Sequence, residues 1–305
     1  MPLKASLGSY PHTAALLDGT VKPMGFEVEY LDVGGVVGGF RKMMRGTELD
    51  LCEMGITTYL SGWDYRNEIT AIPAHVACGF PFASIMINTA AGVAEPKDLE
   101  GKRVACRTYT VTSVVWARGA IQDLFGVDLD SITWVINDEE HAAEFVWPKN
   151  VEYQKGADLS AMVASGEVAA GFAVFRGNAE NVRPLFPDVE SVEKEWFAHS
   201  SVFPINHSIA LPRTLADADP DLAGHLYRYF VEGKQVFLDK LSSGGELSEP
   251  EQALARRRAL LGPDPIPYGT EATRPTLEAL LRYCYEQHIT HEQLGVEEIF
   301  AAGSA

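Results

Sequence analysis

The sequence predicts an α/β protein of two similar lobes with mostly parallel sheets, followed by extra helices at the C-terminal end. Three observations lead there. Short apolar runs rich in β-branched residues alternate with helix-like segments. The design of a helix end, a glycine turn and a strand at residues 44–51 returns at residues 162–171. Beyond Pro220, apolar residues such as Leu222, Leu226, Tyr229 and Phe230 fall near helical spacing.

Each element follows in order. Residues 4–8 read as a first strand and residues 13–17 as a helix closing at Asp18 and Gly19. Residues 26–31 are a second strand, followed by the glycine-rich residues 34–39, a flexible cleft turn, and a helix carrying Phe40, Met43 and Met44. Residues 49–53 are a third strand, Thr57 to Leu60 begin another helix, and residues 84–88 are a further strand. Residues 97–105 give a loop, a glycine turn and a new strand, and residues 208–211 lead out of the second unit. Helices are expected at 220–241, 249–261 and 276–288, with Pro263, Pro265 and Pro267 forming a rigid loop up to Tyr268 and Gly269. Arg256, Arg257 and Arg258 read as a solvated helical face. Lobe 1 then takes residues 1–86 and 208–305, and lobe 2 residues 87–207. Open parallel sheets bind ligands beyond the carboxyl ends of their strands, which puts the site between the lobes.

Composition narrows the function. With 305 residues, 46% of them hydrophobic, the chain can bury a substantial core. A net charge of -17 argues against nucleic acid and anionic membrane as partners, since both need a basic face. A small anion remains compatible, because a few local donors override the global balance. No apolar run approaches the roughly 20 residues of a membrane span. The first ten residues lack the basic start and apolar run of a secretory signal, so a cytoplasmic location is expected. Cys52, Cys78, Cys106 and Cys284 are scattered and read as free thiols. His75 with Cys78, and His288 with His291, have metal-like spacing without further ligands, so no metal is expected. Gly34 to Gly39 lack the Gly-Lys-Ser/Thr of a phosphate loop, and no nucleophile turn for Ser-His-Asp catalysis is present.

A set of segments carries a family resemblance. They include Tyr10 with Thr13, Leu16-Leu17-Asp18-Gly19, Asp50-Leu51-Cys52-Glu53-Met54, Tyr59-Leu60, Ile72-Pro73 and Ser84-Ile85. Further on come Asp98-Leu99-Glu100-Gly101-Lys102-Arg103-Val104, Tyr109, Thr112, Val115-Trp116-Ala117-Arg118-Gly119 and Phe203-Pro204-Ile205-Asn206-His207. Asp264-Pro265-Ile266-Pro267-Tyr268-Gly269 completes the set. In this combination and order the chain resembles the 4,5-dihydroxyphthalate decarboxylase family, cytoplasmic enzymes related in fold to type-2 periplasmic binding proteins. The resemblance implies that fold and a carboxy-lyase activity, and no cofactor is expected, because the ring's own hydroxyl can stabilise the protonated intermediate. It also implies arginines just after the first-strand tyrosine and before the Ser-Ile strand. Residues 11–14 and 74–82 contain none. Adjacent carboxylates call for bidentate guanidinium groups, so the substrate is expected to differ from the family's dicarboxylate.

Decarboxylating a hydroxylated arene requires a proton donor at the ring carbon and polar partners for the phenol oxygens. Histidine suits the first task because it titrates near working pH. His207, which matches a family histidine, is the expected donor, with Glu53 as an acid or acceptor and His75 as a donor to oxygen. Glu53 has an alternative as a salt bridge or helix cap. Tyr10, His12 and Thr13 occupy the first strand-to-helix turn, where His12 either replaces a substrate arginine or caps the helix. Thr57 and Thr58 either cap the next helix or bind ligand. Arg107, Tyr109 and Thr112 belong to a turn suited to an anion, with Arg107 alternatively pairing with Glu139 or Glu140 at the rim. Trp116 and Arg118 are read as packing residues. The expected function is decarboxylation of a small hydroxylated aromatic carboxylic acid. The alternatives are a solute-binding protein for a small acid, or another lyase such as a dehydratase. The aromatic-rich C-terminal helices could support a homodimer.

Overall fold

The computed structural model describes residues 1–46, 48–65 and 68–304; Thr47, within the first copy of the repeated design, lies outside them. Among the described residues, eleven strands form two sheets. The first contains β1 (Leu3–Ser6), β2 (Val28–Tyr30), β3 (Leu51–Gly55), β4 (Ile69–Cys78) and β11 (Ile205–Pro212), in the order β2-β1-β3-β11-β4. The second contains β5 (Ile85–Asn88), β6 (Arg103–Ala105), β7 (Thr133–Ile136), β8 (Val151–Tyr153), β9 (Ala170–Phe172) and β10 (Val182–Pro184), in the order β10-β5-β9-β6-β7-β8. Both sheets are mixed. β1, β2 and β3 run parallel, as do β6, β7, β8 and β9. The reversed members are β11, returning into the first sheet, and β5, which pairs antiparallel with both β9 and β10.

The α-helices of the described residues cover the sheets: α1 (Ala14–Leu17), α2 (Val36–Gly46), α3 (Ile56–Leu60), α4 (Thr112–Phe125), α5 (Leu159–Ser165), α6 (Val189–Ser200), α7 (Arg213–Ala218), α8 (Leu222–Ser243), α9 (Glu249–Arg256), α10 (Arg258–Leu261) and α11 (Thr270–Glu286). The expected helix at 249–261 divides at Arg257, whose guanidinium lies 5.5 Å over the Phe203 ring rather than in solvent. The glycine segment also differs from the turn expected. The helix starts at Val36, and Gly39 faces the sheet, where a Cβ would come within 2.8 Å of Ser6 Oγ and 3.1 Å of Cys52 Sγ. Glycine there lets α2 approach the strands closely, which brings Phe40 to the end of β3.

Two long-range contacts fix the frame of the site. The edge strand β4 tolerates Pro73 because an edge position needs no donor on its outer side. The Pro73 carbonyl accepts from Gly269 N at 2.9 Å and the Ala71 carbonyl from Ala301 N at 2.8 Å, so the C-terminal segments cover this edge. α11 packs on α4, where a Cβ at Gly119 would sit 2.3 Å from the Tyr283 ring. Trp116, fully buried, packs edge-on against Tyr283 and donates from Nε1 to the Ile205 carbonyl at 2.8 Å. The start of β11 is thereby tied to α4. All four cysteines are free.

Candidate active site

The centre of the first sheet carries a buried carboxylate. Glu53 lies in the middle of β3, whose residues are all buried. Its Oε2 accepts from Gly8 N at 2.7 Å, and its Oε1 accepts from Tyr10 Oη and from His207 Nδ1, each at 2.6 Å. Three donors to one buried carboxylate offset its desolvation. Gly8 is required for this approach, since a Cβ would fall 2.7 Å from Glu53 Oε2. Burial first, then the Glu53 charge, holds the Tyr10 hydroxyl well above its ordinary value, so it acts as a neutral donor.

His207 reaches Glu53 through a local irregularity. β11 pairs with β4 with register shifts on both sides of His207, while β3 and β11 stay in register with His207 opposite Gly55. A bulge of this kind re-aims a side chain. The His207 side chain is 25% exposed and lines a cleft of about 330 Å³. With Nδ1 committed to Glu53, Nε2 is the nitrogen left for a ligand.

The cleft has one apolar surface and a few convergent polar groups, as small-molecule sites do. Val37, Phe40, Ala77 and Val111 supply the apolar part. The Phe40 ring lies between two imidazoles, edge-on to His207 at 5.2 Å and to His141 at 5.8 Å. Thr58, Arg107, Thr108, Thr112 and Asn206 also line it. Thr108 Oγ1, Asn206 Oδ1 and both His141 ring nitrogens are buried without a hydrogen-bond partner among the described residues. Burial, reinforced by Arg107 and Arg41, lowers His141 to about 4 and keeps the ring neutral.

The wall on the side of the second sheet is built by a second buried carboxylate. Glu140 accepts from Tyr109 N at 2.6 Å, Thr110 N at 3.3 Å, Thr110 Oγ1 at 2.5 Å and Trp147 Nε1 at 3.0 Å. α2 meets this wall through Arg45, which donates to the Glu140 and His141 carbonyls at 3.0 and 3.3 Å. Thr57 Oγ1 donates to the Thr110 carbonyl at 2.6 Å and lies 2.8 Å from Thr112 Oγ1, joining α3 to the start of α4.

Of the residues singled out in the sequence, His207, Thr58, Arg107 and Thr112 line the cleft, while Glu53 and Tyr10 stand directly behind His207. Arg107 pairs with Asp138 at 3.5 Å rather than with Glu139 or Glu140. Thr13 closes its own turn, accepting from Tyr10 N and donating to the Gly8 carbonyl, each at 2.9 Å. Trp116 and Arg118 are fully buried packing residues. Three expectations need correction. His75 is enclosed between β11 and α11, with Nδ1 2.9 Å from Ser208 Oγ and Nε2 3.3 Å from Thr273 Oγ1. His12 stacks behind Tyr10 at 5.5 Å with Nε2 3.0 Å from the Val76 carbonyl, and neither ring is among the cleft-lining residues. Tyr109 is buried beneath the Arg118 guanidinium, 3.8 Å from its centroid. The imidazole that joins His207 is instead His141, which follows an acidic run and carries no motif that would mark it. Thr108 and Asn206 adjoin residues singled out in the sequence, yet no pattern distinguishes them.

His12 and His75, buried away from the cleft, give the protein an acid-sensitive window. Burial lowers His12 from 6.5 to about 4 and His75 from 6.5 to about 3. Above pH 6.5 both rings are neutral, folded or unfolded. Below it the unfolded chain binds protons that the folded protein excludes, so stability falls as pH falls towards these lowered values. Each ring contributes a slope of about 1.4 kcal/mol per pH unit. Urea unfolding of wild type and His75→Asn between pH 7 and 4.5 checks this: the wild-type stability is expected to fall more steeply. Equal slopes would show that His75 is not held neutral.

No family model matches the chain. It is 26% identical over 325 aligned positions to 4,5-dihydroxyphthalate decarboxylase of Comamonas testosteroni, covering 100% of this chain and 97% of the relative. In sequence the chain is thus similar to a 4,5-dihydroxyphthalate decarboxylase along its whole length. A second enzyme of that name, from Pseudomonas putida, is 25% identical over 211 residues, covering 64% of this chain and 81% of the relative. Solved structures show the fold. The periplasmic aliphatic sulphonate binding protein of Escherichia coli aligns with a TM-score of 0.51 and 12% identity, covering 98% of this chain and 91% of its own. A Candida albicans protein with the generic periplasmic-binding-protein fold aligns with a TM-score of 0.51 and 12% identity, covering 97% and 93%. The chain thus has the two-lobed periplasmic-binding-protein architecture with extra C-terminal helices. Among its described residues, no helix is long and apolar enough to cross a membrane, and no group of three or more His, Cys, Asp or Glu could hold a metal ion.

Proposed function

We propose that this chain is a cytoplasmic, non-oxidative carboxy-lyase acting on a small hydroxylated aromatic carboxylic acid. The observation that carries this reading is the Glu53–His207 pair, a cleft-facing imidazole anchored at 2.6 Å on a buried carboxylate. The decarboxylase names of the full-length and partial relatives support it. Lobe 1 (residues 1–86 and 208–305) and lobe 2 (residues 87–207) would close over the bound acid and exclude water.

The chemistry balances without a cofactor. Protonated His207 gives its Nε2 proton to the ring carbon bearing the carboxylate, and the substrate's hydroxyl oxygen stabilises the resulting intermediate. The carbon–carboxylate bond then breaks, its electron pair restores the aromatic ring, and carbon dioxide leaves. Solvent reprotonates His207. Val37, Phe40, Ala77 and Val111 give the departing carboxylate an apolar setting that disfavours its charged form. Arg107 supplies one guanidinium to the cleft, which fits one carboxylate better than an adjacent pair.

A solute-binding role is the second reading, favoured by the shared architecture with the sulphonate-binding protein. Incubation of purified protein with a panel of hydroxybenzoates and phthalates separates the readings. Release of carbon dioxide with the matching arene is the expected result. Reversible binding without a product supports solute capture, and loss of water indicates a dehydratase.

A further inference from the structure

The second sheet contributes two side chains to the cleft whose polar atoms have no hydrogen-bond partner among the described residues. Thr108 and His141, 1% and 3% exposed, line the cleft, yet Thr108 Oγ1 and both His141 nitrogens lack a partner among the described residues. Thr108 follows β6 and His141 follows β7, so both stand beyond the carboxyl ends of neighbouring parallel strands. Leaving a buried polar group unpartnered is unfavourable, a penalty that a suitably placed ligand atom would remove.

The chemistry of the two groups narrows that atom. A neutral imidazole offers one donor and one lone pair, and a threonine hydroxyl offers both roles as well. The charged groups facing His141 are Arg107, Arg41 and Arg45 on one side of the balance and Asp138 on the other. The Asp138 carboxylate already draws Arg107 and Arg41, at 3.5 and 3.6 Å. A carboxylate can only accept, so it would leave the His141 lone pair unanswered. A hydroxyl can donate to that lone pair and accept from the Thr108 hydroxyl, so it answers both residues.

We propose that Thr108 and His141 form the subsite for the ring hydroxyl of the aromatic acid and set selectivity for hydroxylated over unsubstituted acids; this rests on the reading of the cleft as an aromatic-acid site. Isothermal titration calorimetry of wild type, Thr108→Val and His141→Phe with benzoate and with 2-, 3- and 4-hydroxybenzoate tests it. Thr108→Val keeps the side-chain shape, so it remains informative if His141→Phe fails to fold. Wild type is expected to bind its best hydroxybenzoate at least about tenfold more tightly than benzoate, and each variant to bring that ratio to within about threefold. Equal affinity of wild type for benzoate and the hydroxybenzoates overturns the subsite while leaving the aromatic-acid reading intact. A preference that persists in folded variants overturns it too. Failure of every acid to bind wild type overturns the aromatic-acid reading and the subsite with it.

Discussion

His207→Gln lowers kcat for decarboxylation by about 10²–10⁴-fold, the range that a positioned general acid contributes. Its thermal stability stays near that of wild type, because the ring is partly exposed and lies on the cleft rather than in the core. Glu53→Gln lowers kcat as well, by about 10²-fold or more. The reason is a shortage of acceptors. The carboxylate answers Gly8 N, Tyr10 Oη and His207 Nδ1 with two oxygens, whereas the amide has one. One donor then faces an NH₂ group, and the orientation of the His207 ring is no longer fixed. Single-turnover kinetics with the hydroxybenzoate that yields carbon dioxide checks both variants. Wild-type rates in either would remove the pair from the chemistry.

Glu140→Ala destabilises the protein by about 3 kcal/mol or more, since the donors of Tyr109 N, Thr110 N, Thr110 Oγ1 and Trp147 Nε1 lose their shared acceptor inside the protein. Glu140→Gln keeps one acceptor and is expected to lose about half as much. The same turn presents Thr108 and Thr112 to the cleft, so ligand affinity falls along with stability. Urea unfolding with and without ligand measures both. A loss below about 1 kcal/mol in Glu140→Ala would show that this turn is held by other contacts.

Much of this architecture is legible in the sequence, because strand and helix periodicities are local. The strand containing Glu53 and the returning strand near His207 can both be read from apolar, β-branched runs. Their contact cannot. It depends on β11 lying beside β3 with Ile209 opposite Glu53, a pairing of residues far apart in the chain. It depends further on register shifts around His207 that no composition signals. The histidines separate for the same reason. His75 is enclosed by Thr273 of α11, and His12 by Tyr10 and Tyr268, while His141 is carried to the cleft by the segment after β7. The glycine run at 34–39 misleads because glycine serves two purposes. Gly34 and Gly35 have positive φ, as a turn requires, but Gly39 permits close packing of a helix on Ser6 and Cys52.

Turnover in D₂O of the acid that releases carbon dioxide, followed by mass and NMR analysis of the arene, observes the proton delivery assigned to His207. The expected product carries deuterium at the carbon that held the carboxylate, with carbon dioxide in equal amount, and His207→Gln forms that bond far more slowly. Carbon dioxide release without deuterium at that carbon, or an undiminished rate in His207→Gln, would contradict it.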